Sequence, residues 1–163
     1  MKIFVRLLIL LQLVFLASCY QPNINHGTVI PDFVNWQKFD NQIVWYSMTA
    51  RAPILLYFYS DNCINCDKVS NNLFKNENIV LYINQNFAPA KLNTRSEDTR
   101  RLMRELGVQQ TPAVVILSHV DRSVLFKVTG VPTPVMFFNS LKLSLQMDNI
   151  KSVQGVLLRN EYE

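Results

Sequence analysis

Residues 54–66 decide the fold, and they read ILLYFYSDNCINC. Six apolar and aromatic residues with strand character end in a short polar turn, and Cys63 and Cys66 follow three positions apart. After the turn, Cys66, Val69 and Leu73 recur at helical spacing, which predicts a helix that begins at the cysteines. We expect the rest of the domain to be organised around this strand, cysteine pair and helix.

The cysteine pair predicts thiol chemistry. Cys63 is expected at the helix N-terminus, where unpaired backbone N–H groups and the helix dipole stabilise a thiolate. Cys66 lies almost one turn further along, close enough to form a disulfide with Cys63. A bridge across so short a loop constrains the unfolded chain little, so a purely structural role is disfavoured. The pattern therefore indicates a dithiol that exchanges electrons with other proteins.

The N-terminus has the pattern of an export signal. Lys2 and Arg6 precede an apolar run over residues 7–16, which is shorter than the ~20 residues of a transmembrane helix. Residues 16–19 read LASC and resemble the lipobox of bacterial lipoproteins. That resemblance implies that Cys19 is lipidated and that the chain is cut just before it. An ordinary secretory signal or a short uncleaved anchor are the alternatives.

The chain is expected to hold one folded domain. We predict a lipoprotein signal peptide at 1–18, a lipidated N-terminus and tether at 19–32, a domain at 33–147 and a C-terminal extension at 148–163. Loss of the signal peptide lowers the formal charge of +4 and leaves no cluster of basic residues, which argues against nucleic acid as a partner. Four arginines are interpreted as one solvated helix face: Arg95, Arg100, Arg101 and Arg104.

Local signals predict the other elements. A short strand is expected at 33–36, and Pro112 immediately precedes the apolar strand at 113–117. Further strands are predicted at 86–92 and 124–128, the latter after a turn at 119–122. Helices are predicted from Asp40 or Asn41 to Ala50, after Asn76, after Ser96, from Pro134, and separately at 148–158.

This order of elements resembles the thioredoxin fold, and most closely the thioredoxin-like domain of membrane thiol:disulfide interchange proteins. The residues that carry the resemblance are Cys63, Cys66, Thr111 and Pro112. It implies an α/β domain, with a central mixed β-sheet flanked by helices on both faces. It also implies that Pro112 is cis, that it faces the cysteines with Thr111, and that the Thr111 backbone pairs with an extended substrate segment.

The sequence departs from classical thioredoxin in three places. The residues between the cysteines are Ile64 and Asn65 rather than Gly and Pro, and Asn62 replaces the usual Trp. Tyr57 occupies the strand position where thioredoxins bury an Asp that helps to deprotonate the second cysteine. Tyr is a poor base near neutral pH, since its pKa lies near 10. Water, a nearby carboxylate or slow turnover are the open alternatives for Cys66.

The resulting hypothesis is a membrane-anchored thiol–disulfide oxidoreductase. Cys63 and Cys66 are its catalytic residues and redox-active disulfide, and Thr111 and Pro112 bind substrate. It would exchange with the disulfides or thiols of exported proteins, and the direction favoured is that of a reductase. Its electrons would come from a membrane redox partner, because no cofactor motif is found. Tyr20 after Cys19 points to the periplasmic side of the outer membrane.

Two other classes of function are considered. A non-catalytic binding lipoprotein could keep the fold, with a stable disulfide. A Cu(I) metallochaperone could use the same two cysteines, whereas a zinc site lacks a second ligand pair, since only His26 and His119 remain. No resident metal is predicted.

Overall fold

The computed structural model describes residues 33–160. Three predicted features lie outside the described residues: the signal peptide at 1–18, the lipidation of Cys19 and the tether at 19–32. So do the last three residues of the predicted C-terminal extension.

Four strands form one mixed sheet in the order β2-β1-β3-β4. β1 runs parallel to β2 and antiparallel to β3, and β3 pairs antiparallel with β4. The central position of β1 explains why it is apolar on both faces, because neither face reaches solvent. The strands are β1 (Ile54–Tyr59), β2 (Ala88–Asn93), β3 (Ala113–Leu117) and β4 (Val124–Thr129).

Five helices complete the described part of the domain. Asp40 and Asn76 act as N-caps, since their side chains accept backbone N–H bonds from Gln42 and Ile79. The helices are α1 (Asn41–Ala50), α2 (Ile64–Asn72), α3 (Glu77–Asn86), α4 (Glu97–Glu105) and α5 (Pro134–Asn160).

Two apolar cores lie on opposite faces of the sheet. On one face, the β1 side chains Leu55 and Tyr57 pack with residues from α2, α3 and α5. On the other, Leu56 and Phe58 pack with residues from α1 and α4. The predicted α/β arrangement, a central mixed sheet with helices on both faces, is therefore confirmed. Within residues 33–160, no helix is long and apolar enough to cross a membrane.

Three local predictions are wrong. Residues 33–36 form no strand, and the only pairing there is an isolated bridge of Gln37 to Ala90 at the edge of β2. No separate helix begins at Asp148: α5 continues through it, because Asp148 is buried and its carboxylate bonds to the β3–β4 turn rather than capping a new helix. The four arginines do not share one helix face, since Arg95 precedes α4 and pairs with Asp61.

Candidate active site

The two cysteines form a disulfide at the start of α2. The S–S distance between Cys63 and Cys66 is 2.07 Å. Cys63 is the N-cap of α2 in extended backbone conformation, and the backbone N–H of Cys66 donates to Cys63 Sγ at 3.1 Å. The sulfur of Cys63 thus takes the place that an oxygen acceptor occupies in ordinary caps. In the reduced pair, this N–H and the helix dipole favour a negative charge on Cys63.

The two sulfur-bearing residues differ in exposure. Cys63 is half-buried, whereas Cys66 is 5% exposed and belongs to the core. A molecule that approaches from solvent therefore reaches Cys63 first. Cys66 is placed to react with the sulfur of Cys63 from the inside.

The loop before β3 lies at the same end of the sheet. The Thr111–Pro112 bond is cis, as the resemblance implied. Ser60, which follows β1, shares a hydrogen bond of 2.9 Å between its Oγ and Oγ1 of Thr111. The N–H of Gly130, after β4, donates to the Pro112 carbonyl at 2.8 Å. The first contact holds the loop beside the segment that leads to Cys63, and the second ties it to the end of β4.

The backbone of Thr111 is open to a partner. No hydrogen bond from another described residue reaches its N–H or its carbonyl oxygen. Because β3 begins only at Ala113, these groups lie beyond the ladder that β1 and β3 form. An extended polypeptide is the kind of ligand that uses such groups, by adding one strand.

Tyr57 lies fully buried beneath the cysteines. Its hydroxyl donates to the carbonyl oxygen of Cys66 at 3.1 Å, and its ring packs edge-on against Phe74. Burial is the main cause that raises the pKa of Tyr57 above its ordinary value of 10.0, and the negative charge of Asp67 adds to it. Tyr57 therefore stays protonated at neutral pH. It supports the first turn of α2 and does not serve Cys66 as a base.

Sequence reasoning named four candidate site residues, Cys63, Cys66, Thr111 and Pro112, but missed the residues that bond to the Thr111–Pro112 loop. Neither Ser60 nor Gly130 belongs to a motif, and their contacts with the Thr111–Pro112 loop span 51 and 18 positions. The only signal was their place at the ends of predicted strands. Such contacts depend on which strand ends meet, and that is a property of sheet topology.

No second set of metal ligands surrounds the cysteines in the described residues. Between residues 33 and 160, no three His, Cys, Asp or Glu side chains are grouped to hold a metal ion. His119 lies at the opposite end of the sheet, buried against Asp148. His26 lies outside the described residues.

The comparisons with known proteins agree with this geometry. The family model of the thioredoxin-like domain matches residues 39–143. No curated protein sequence matches the chain. Among solved structures, the DsbH oxidoreductase is similar with a TM-score of 0.60 at 14% identity, covering 80% of this chain and 96% of its own. A thioredoxin from Thermus thermophilus has a TM-score of 0.60 at 16% identity, covering 67% and 85%.

A third similar structure is the oxidised C-terminal domain of DsbD from Neisseria meningitidis. Its TM-score is 0.52 at 19% identity, and the match covers 66% of this chain and 98% of that domain. At these identities the structures establish the fold, and the family match establishes the membership. The protein belongs to the thioredoxin-like family. With its Cys63–Cys66 disulfide, it is a thioredoxin-like thiol–disulfide oxidoreductase.

Proposed function

We propose that the protein reduces disulfides of exported proteins, with Cys63 as the attacking thiol and Cys66 as the resolving thiol. The observation that carries this proposal is the asymmetry of the pair: Cys63 is half-buried at the N-cap of α2, while Cys66 is buried. The more exposed sulfur is also the one that receives the backbone N–H bond.

The proposed exchange proceeds in two steps. The Cys63 thiolate attacks one sulfur of the substrate disulfide, forms a mixed disulfide and releases the other sulfur as a thiolate. The Cys66 thiolate then attacks Sγ of Cys63, which releases the second substrate thiolate and leaves the Cys63–Cys66 disulfide. Two electrons pass to the substrate. A dithiol of a partner protein returns them by the reverse exchange.

Thr111 and Pro112 are proposed to hold the substrate during this exchange. The N–H and carbonyl groups of Thr111, which have no hydrogen-bond partner within residues 33–160, support a short antiparallel pairing with an extended segment around the substrate cysteine. Such pairing uses main-chain groups, so it does not by itself require a particular residue beside the substrate cysteine.

The site of action is proposed from the N-terminal sequence. Lipidation of Cys19 would anchor the domain to the periplasmic side of a bacterial membrane, with the outer membrane favoured by Tyr20. The acyl chains, at ~0.8 kcal/mol per buried CH₂, would make the attachment stable. The reducing partner is then proposed to be a membrane protein. A mass measurement on the protein purified from membranes tests the anchor, since an unmodified residue 19 would contradict it.

The reduction potential of the Cys63–Cys66 pair tests the activity and its direction. We expect a value near that of thioredoxin, about −270 mV, when the full chain is equilibrated with dithiothreitol buffers. A value near −120 mV would contradict a reductase and indicate an oxidant or isomerase. A disulfide that resists reduction would support a binding protein instead.

The two cysteine variants separate the proposed roles. Cys63→Ser is expected to abolish reduction of insulin, because the attacking sulfur is lost. Cys66→Ser is expected to accumulate a mixed disulfide with substrate, visible by mass spectrometry and released by dithiothreitol. A mixed disulfide that forms through Cys66 in Cys63→Ser would reverse the assignment.

A further inference from the structure

A groove of about 360 Å³ adjoins the Thr111 loop. Ser60 and Thr111 line one side of it, and two arginines of α4, Arg100 and Arg104, line another. Among the described residues that line the groove, these arginines are the only charged ones, and none carries a carboxylate. The other lining residues are Thr94, Met103, Val108, Gln109 and Gln110.

The two arginines differ in how far their donors are used. Arg100 donates through Nη1 to the carbonyl oxygens of Thr94 and Arg95 at 2.7 and 3.0 Å, and through Nε and Nη2 to Glu97. It therefore fixes the start of α4. Arg104 makes a single long contact among the described residues, 3.4 Å from Nη2 to Glu97, and its side chain is 65% exposed.

One carboxylate thus faces two guanidinium groups. Hydrogen bonds from Arg100 and then from Arg104 lower the pKa of Glu97 below its ordinary value, so Glu97 is ionised throughout the neutral range. Even so, its single negative charge offsets only one of the two arginines. The described residues that line the groove therefore keep an excess of positive charge, and Arg104 retains N–H donors without a partner among the described residues.

We propose that Arg104 selects substrates with an Asp or Glu close to the reacting cysteine; this inference rests on the function proposed above. A substrate strand paired with Thr111 advances about 3.3 Å per residue, so a side chain two positions from its cysteine lies about 7 Å along the groove. A carboxylate there matches the fork of N–H donors on a guanidinium, which binds it in a bidentate way. Arg104 is then a specificity-determining residue.

Matched peptide disulfides test the proposal on the full chain. Two peptides differ only in Asp or Lys two positions from the disulfide-bonded cysteine, and their reduction is followed at low salt. We expect the Asp peptide to react about two- to fivefold faster, the range of an exposed ion pair. The difference should shrink in 0.5 M salt because the charges are screened. Equal rates at low salt would overturn the proposal.

Variants of α4 assign the preference to one residue. In Arg104→Gln the ratio of the two rates should fall to about one, and in Arg104→Glu it should invert. Arg101→Gln is the matched control, since Arg101 is exposed on the same helix, pairs with Asp98 and does not line this groove. Wild-type discrimination that survives in Arg104→Glu would overturn the assignment.

Two further measurements separate this inference from the proposed function. The rate at which the wild-type protein reduces hydroxyethyl disulfide measures the exchange chemistry on an uncharged substrate. The affinity for peptides with Ser in place of the cysteine measures binding in the groove, because these peptides cannot undergo exchange. Exchange without a charge preference overturns the inference alone. A preference of Arg104 for acidic peptides without exchange supports the groove and overturns the proposed reductase.

Discussion

The two ends of the sheet differ in how far their polar groups are hydrogen-bonded within the described domain. At the end that holds Cys63, the Thr111 backbone has no hydrogen-bond partner among the described residues, and the bond from Ser60 joins only the two side-chain hydroxyls. At the opposite end, the carboxylate of Asp148 is fully buried and accepts bonds from Ser118 and His119. Among the described residues, the Thr111 backbone groups at the Cys63 end have no partner, whereas the polar groups around Asp148 at the other end bond to one another.

The internally satisfied end joins the β3–β4 turn to α5. Asp148 accepts from Ser118 Oγ at 2.6 Å and from the His119 N–H at 3.0 Å, and its second oxygen contacts His119 Nδ1. Arg122 adds a bond of 2.6 Å from its Nη1 to the His119 carbonyl. This arrangement explains why α5 passes through residue 148 without a break. We expect this end to contribute stability and the Cys63 end to contribute reactivity.

Removal of the Asp148 carboxylate tests whether this end of the sheet contributes stability, and we expect it to have the largest effect. Asp148→Ala leaves several buried donors without an acceptor, which should cost about 3–5 kcal/mol in the free energy of unfolding. Urea unfolding of the oxidised protein measures it. Asn149→Ala is the control, since Asn149 is the exposed next residue of α5 and should change stability by less than about 0.5 kcal/mol. Equal losses in the two variants would remove the contrast between the ends.

Tyr57→Phe tests the support beneath the cysteines. The ring volume is kept and the hydrogen bonds of the hydroxyl, to the Cys66 carbonyl and to Ser70, are lost, so we expect a loss of about 1 kcal/mol in urea unfolding. Because the pKa of Tyr57 is raised above 10, its loss should not move the pH dependence of reduction between pH 6 and 9. Tyr59→Phe is the control, at a partly buried ring of the same strand. A shift of the profile in Tyr57→Phe would mean that Tyr57 takes part in proton transfer.

The exposed pair of Lys151 and Asp121 should show the smallest effect. Lys151 Nζ lies 2.7 Å from Asp121 Oδ2, and the pKa of Asp121 is lowered first by this bond and then by bonds from Ser123. A lowered folded-state pKa stabilises the protein above the unfolded value near 3.9 and ceases to do so as the pH falls further.

Lys151→Met should therefore cost less than about 0.5 kcal/mol at pH 7, because solvent screens the pair. The difference from wild type should shrink below pH 4 and in high salt. Denaturant unfolding at pH 7 and pH 3 measures it. A loss as large as that of Asp148→Ala would show that the exposed pair, and not the buried carboxylate, joins the turn to α5.

The sequence determined the features that depend on near neighbours. The apolar run gave β1, the Cys-x-x-Cys spacing gave the start of α2, and Asp40 and Asn76 gave their helix starts, because caps and periodicity act over a few residues. The same local signals failed at 33–36 and at Asp148. Residues 33–36, three apolar residues and Asn35, pair with no strand, and Asp148, which has the residue type of a helix cap, lies in the interior of α5.

Only the tertiary structure decided which distant groups meet. The contacts of Ser60 with Thr111 and of Asp148 with His119 join residues 51 and 29 positions apart, and no local pattern encodes either pair. The sequence alone favours a solvated helix face for the arginines of α4. The fold places Arg104 beside the Thr111 loop, where both line one groove. The physical reason is that sheet order and helix placement follow from burial of apolar area in the whole domain. Polar side chains at the strand ends acquire their partners from that packing.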